Sequence, residues 1–214
     1  MALTKFNYNS FDLTTAASKG LAFNSSANGF ETSSSTSMVL IKTLTASSSD
    51  DLSFVNGSSD VVLDNTYPIY MFQLTSLHFS NDATILRIFA STDSGSNYDT
   101  AITASYFYAG IAEDGTSQFF TIENRGGGNQ TVGLQFTDTI GSDNDQSVSG
   151  SAFLYNPSST TFVKHYMIDS NTSGHADQSN HVLQGGYVNT TSAVDAIKFA
   201  PEAGTIDAGT IKLY

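Results

Sequence analysis

From Met38 to Tyr214 one pattern recurs: a short run of alternating apolar residues, then a cluster of Gly, Asn, Asp, Ser or Pro. Alternation with period two is what a half-buried strand needs, and the turn residues set its length. The runs are Met38–Thr45, Leu52–Val55, Val61–Leu63, Ile69–Phe79, Ile85–Ala90 and Ala101–Ala109, then Phe119–Ile122, Thr131–Phe136, Val148–Tyr155, Phe162–Ile168 and Val182–Val188. With the closing segment they predict about ten to twelve strands at a spacing of about ten residues, the mark of an antiparallel sandwich or barrel. No stretch of helical length presents a helical face. The expected fold is an all-β, antiparallel β-sandwich, jelly-roll-like, because two packed sheets absorb this many strands and protect most edges.

Three local features refine that expectation. In Ile69–Phe79, Tyr70, Phe72 and Leu74 share one face, and Leu77 and Phe79 are expected on the other after a switch near Thr75-Ser76. In the closing run Gly204–Tyr214, Ile211 and Leu213 alternate as a strand does, while Ile206 has the other parity. Gly209 stands at the break, where a bulge or bend is expected. Ile197 and Phe199 alternate before it, and Pro201-Glu202-Ala203-Gly204 supplies turn chemistry, so the chain is expected to end in a hairpin. Asn56-Gly57 is a further hairpin signal.

Residues 1–37 read differently. Phe6, Tyr8, Phe11, Leu13, Leu21, Phe23 and Phe30 are spread thinly among Asn, Ser, Thr and Ala, and Glu31–Ser37 has the composition of a linker. Isolated aromatics on a polar, extended segment suit anchors that drop into pockets of another chain. The expected organisation is an extended N-terminal arm, 1–37, followed by a β-sandwich body, 38–214.

Charge and cysteine content narrow the function. The formal net charge is −12, and it belongs to the body: Lys5, Lys19, Asp12 and Glu31 cancel within the arm, leaving 6 basic and 18 acidic residues. That balance disfavours nucleic acid and anionic membrane surfaces as partners. The absence of cysteine excludes disulfides and thiolate metal sites. The first residues lack a secretory pattern and the apolar runs are too short to span a bilayer, so a soluble protein is expected.

No catalytic constellation emerges. Asp138, Asp143 and Asp145 offer oxygen ligands for Ca²⁺ without an EF-hand arrangement, so solvated turn acids are the expected reading. His175, Asp177 and His181 match no zinc spacing. The Gly-rich run Arg125–Asn129 lies between strands, whereas a phosphate cradle needs a helix N-terminus. Tyr98, Tyr106, Tyr108, Tyr166 and Tyr187 suit sugar stacking, a core or an interface alike. Ser91-Thr92-Asp93-Ser94-Gly95-Ser96-Asn97-Tyr98 resembles the Asp box of sialidase-type propellers. It occurs once, so it implies a stable turn held by Asp93 and Gly95, and no sialidase activity.

Four passages taken in order are similar to β-sandwich virion proteins of tailed bacteriophages. They are Tyr70–Leu74, Ile85–Ser96, Gly150–Ser158 and Gly204–Tyr214, the last of the form Gly-x-Ile-x-x-Gly-x-Ile-x-Leu-Tyr through Gly204, Ile206, Gly209, Ile211, Leu213 and Tyr214. The resemblance covers roughly residues 60–214. It implies a non-enzymatic structural protein without cofactor, a homotrimer located on the virion. A head cement or decoration protein would bind the major capsid protein, or another virion protein, through Phe6, Tyr8, Phe11, Leu13, Phe23 and Phe30 of the arm. A tail-fibre or receptor-binding protein would instead recognise host glycans.

Overall fold

The computed structural model describes residues 20–23, 26, 30–33, 38–123 and 127–214. Phe6, Tyr8, Phe11 and Leu13 of the expected arm, and Arg125 and Gly126 of the Gly-rich run, lie outside the described residues. The chain divides into two units, Met1–Val39 and Leu40–Tyr214. In the first, β1 (Gly20–Phe23) and β2 (Phe30–Ser33) pair antiparallel, with Phe23 opposite Phe30. Their rings stack with centroids 4.9 Å apart, forming a cross-strand aromatic pair.

The second unit is built from strands alone among its described residues. In chain order they are β3 (Lys42–Thr45), β4 (Leu52–Val55), β5 (Ile69–Phe79), β6 (Leu86–Ser91), β7 (Ile102–Ala112) and β8 (Gln118–Glu123). Then follow β9 (Leu134–Gln135), β10 (Val148–Tyr155), β11 (Lys164–Gly174), β12 (Gln178–Val188), β13 (Ala196–Pro201) and β14 (Ile206–Leu213). An eight-stranded sheet has the order β3-β14-β5-β10-β11-β12-β7-β8, and a four-stranded sheet the order β4-β13-β6-β9. All pairings are antiparallel. The fold is therefore an all-β antiparallel sandwich, as the alternation and turn spacing predict.

One core joins the two sheets. Phe54 of β4 and Phe199 of β13 meet Phe72 of β5, with ring centroids 5.3 and 5.5 Å from it, and Phe136 closes on Phe199 at 5.9 Å. All four rings are buried, in offset or edge contacts that aromatic quadrupoles favour. Beyond the smaller sheet, Ser170 of β11 donates its hydroxyl to the carbonyl of Phe136, so the 127–146 segment covers the inner face there. That part of the inner face is unusually polar: Thr172, Asn180 and Gln184 are buried.

Three sequence expectations are corrected by the pairing and burial. The chain does not end in a hairpin: β13 belongs to the smaller sheet and β14 to the larger, between β3 and β5. Pro201–Gly204 therefore carries the chain from one sheet to the other, an ambiguity inherent in any turn that separates two amphipathic strands. Asn56-Gly57 does turn, with Gly57 donating to the carbonyl of Val61 at 2.9 Å, but 61–63 forms no strand and β4 pairs with β13. Leu77 and Phe79 also differ from expectation. They are buried in the same core as Tyr70, Phe72 and Leu74, because the irregularity at Ser76 restores the inward parity.

Candidate interaction surface

The larger sheet has one face on the core and one face outward. Strict alternation on β11 reads Lys164, Tyr166, Ile168, Ser170 and Thr172 inward, with His165, Met167, Asp169 and Asn171 outward. The registers carry this parity across the neighbouring strands. On β12 the outward row is Ser179, His181, Leu183, Gly185 and Tyr187; on β7 it is Thr103, Ser105, Phe107, Ala109 and Ile111. Edge strand β8 presents Gln118, Phe120 and Ile122.

Ordinary sandwich sheets turn polar residues to solvent. This face does not. Phe120, Ile122 and Met167 are 69%, 68% and 56% exposed, and Phe107, Ile111 and Leu183 are exposed beside them. Across the outward positions of β7, β8, β10, β11 and β12, Asp169 is the one carboxylate and no Lys or Arg occurs. Asp169 is itself paired, its Oδ1 lying 2.8 Å from Nε2 of His181. On a body that holds the whole charge of −12, such a stretch is a marked depletion. Few charges, with aromatics and Met in their place, is the composition of interface cores.

Two shallow depressions shape the face. One, of about 560 Å³, lies over β10, β11 and β12 and is walled by Tyr155, His165, Met167 and Tyr187. Its floor is Gly185, where an added Cβ would meet nothing within 4 Å. The ring of His165 stands edge-on to Tyr187, with centroids 6.1 Å apart, and the Tyr155 hydroxyl contacts Sδ of Met167 at 3.7 Å. Tyr166 lies beneath, and burial pushes its phenol pKa far above the usual value. The second depression, also about 560 Å³, is lined by Ala109, Ile111, Phe119, Phe120 and His181.

The other candidates resolve into structure. Asp93 Oδ1 accepts the Ser91 hydroxyl at 2.7 Å and the Asn97 backbone N–H at 2.9 Å, while Oδ2 accepts the Asn97 amide at 2.6 Å. Gly95 has φ +77° and packs on Tyr98, whose ring lies 4.4 Å from Nζ of Lys198. Asp138 is buried, while Asp143 and Asp145 are exposed in a turn, so the three do not converge. Among the described residues no group of three or more His, Asp or Glu side chains gathers as metal ligands. His175 is exposed, Asp177 approaches Gln146, and His181 faces Asp169. Of the tyrosines, Tyr106, Tyr108 and Tyr166 are buried, while Tyr98 and Tyr187 remain partly open to solvent.

The exposed members of this face escaped the sequence reading for a specific reason. Strand β7 carries Tyr106, Phe107 and Tyr108 in succession, and β8 carries Phe119-Phe120. With large apolar groups on both parities, alternation cannot assign the buried side. The usable signal was that doubling itself, since a one-sided sheet should not need it. Comparison with protein-family models, curated proteins and solved structures finds no match to this chain.

Proposed function

We propose that the protein is a non-enzymatic structural component of a tailed-phage particle, a cement or decoration protein that stands on the capsid and stabilises it. The observation that carries the assembly role is the outward face over β7, β8, β10, β11 and β12, poor in charge and set with exposed aromatic and aliphatic side chains on an acidic body. Such a face gains free energy when covered by protein, and its low charge keeps desolvation cheap. The virion placement draws on the resemblance carried by Tyr70–Leu74, Ile85–Ser96, Gly150–Ser158 and Gly204–Tyr214. The Phe23–Phe30 stack supplies an exposed apolar pair in the N-terminal unit, suited to a pocket on a capsid subunit.

The test is attachment to empty heads. Full-length protein should sediment with heads, and deletion of residues 1–37 should abolish this while circular dichroism shows an intact β body. Normal binding by the truncated chain would refute the arm-mediated attachment.

A second reading, a glycan-binding tail protein, is favoured by the Tyr155–His165–Tyr187 depression, whose open aromatic walls can stack on the apolar face of a sugar ring. Specific binding on a glycan array, lost in Tyr187→Ala and without affinity for heads, would select it. Release of reducing sugar from host polysaccharide would be required to support a depolymerase.

A further inference from the structure

We infer that the outward patch over β12, β7 and β8 docks the same patch of a second copy of this chain, a contact that rests on reading the outer face as an assembly surface. The patch is compact. Phe107 sits opposite Ile122 on β8 and opposite Leu183 on β12, and Ala109 sits opposite Phe120. Phe107, Ile111, Phe120, Ile122 and Leu183 are all exposed. Together these side chains present on the order of 500 Å² of apolar surface, the upper range for patches on monomers and a large share of the roughly 800 Å² per partner in a standard interface.

Charge selects the occupant. Copies that each carry −12 repel wherever their acids face one another, so self-contact is confined to surface without carboxylates. The outward strand positions of this patch carry no carboxylate: Asp169, opposite Leu183, is paired with His181, and Glu113 and Asp114 lie beyond Ile111 in the β7–β8 turn. A basic partner would find no counter-charge here, whereas a second copy offers a matching neutral face. Strand β8 adds a further reason for cover. It is a terminal strand of its sheet, and Gln118–Glu123 contains no Pro, Lys or bulge to protect the edge. An isologous contact closes as a pair, so the inference predicts a dimer where the resemblance implies a trimer.

The experiment is light scattering on the full-length chain across a concentration series, with Phe120→Glu and Ile111→Glu as variants. Both positions are exposed, so unchanged thermal unfolding of the monomer is expected. The wild type should be a dimer, and each variant should weaken it by about thirtyfold or more, as for a central interface residue. Because the chain has no cysteine, Phe120→Cys offers an independent readout: mild oxidation should give a covalent dimer, while Thr43→Cys on the far edge strand should not. A wild type that is monomeric at about 100 µM or trimeric, or a dimer indifferent to Phe120→Glu, would overturn the inference. If heads fail to bind the wild type while the dimer forms through Phe120, the inference stands and the virion placement fails.

Discussion

The carbonyl oxygen of Ser76 lies 2.4 Å from the point where a Cβ on Gly209 would sit, so β5 and β14 touch backbone to backbone at a shared irregularity. Ser76 has φ +47° and Gly209 φ +99°, both left-handed, and Ser76 N–H donates to Ser149 Oγ at 3.0 Å on the next strand. The register shifts on both sides of Ala208, which is how Ile206, Ile211 and Leu213 all reach the core despite their unequal parity. The bulge thus sets which side chains of two central strands are inward.

Replacing Gly209 with Ala should cost about 2–4 kcal/mol, from the left-handed strain and the collision with Ser76. Ser76→Gly relieves strain at the partner position and should change stability by less than about 1 kcal/mol. Urea unfolding of both variants measures the contrast. Equal effects would mean the contact is not what holds the bulge.

Phe199 touches the rings of Phe54, Phe72 and Phe136 and is fully buried, so it bridges both sheets and the covering segment. Phe199→Ala should destabilise by about 3–5 kcal/mol through lost burial and the cavity left behind. The exposed Phe162, at 69% exposure, supplies the control: its Ala variant should fall within about 0.5 kcal/mol of wild type by the same measurement.

Asp93 is held below the usual carboxylate range, first by the Asn97 side chain, then by the Asn97 backbone N–H and the Ser91 hydroxyl. A folded-state pKa below the unfolded one means that ionised Asp93 favours the fold above the unfolded value. That contribution fades as pH falls through the folded value. Asp93→Asn should therefore lower stability at neutral pH and flatten the wild-type decline in acid. Parallel acid-unfolding curves for the two proteins would count against this role.

Lys164 gives the same sign of pH dependence as Asp93, from the opposite cause and in alkaline solution. It is fully buried, with Nζ 3.0 Å from the Thr190 carbonyl and 3.3 Å from the Phe162 carbonyl, and burial depresses its pKa. In the window between the folded and unfolded values the unfolded chain binds more protons, so stability rises with pH. The wild type should gain stability relative to Lys164→Met as pH climbs toward about 10.4, the unfolded lysine value. A wild-type-minus-variant difference that stays flat would show that Lys164 is not desolvated.

Much of the strand content was legible from residue pattern. Ile69–Phe79 and Val148–Tyr155 appear as strands with those bounds, because each alternates cleanly and is closed by turn residues. Partner choice was not legible: Ile197 and Phe199 alternate as well as Ile211 and Leu213, yet the two strands enter different sheets. Of the candidate surface, Tyr187 was visible as an exposed aromatic candidate, whereas Phe107, Phe120, Ile122 and Leu183 were not. Neighbours such as Tyr106, Phe119 and Val182 competed for the inward side.

Sequence alone determined the class of fold, the excess of acid and the position of the Gly209 break, because period, charge and glycine chemistry are local properties of a chain. Tertiary structure alone decided which sheet each strand joined, which of the adjacent aromatics turned inward, and that one face carries a single acid, Asp169. These depend on registers between residues far apart in sequence. In a strand with apolar groups on both sides, only the partner's register says which side meets the core.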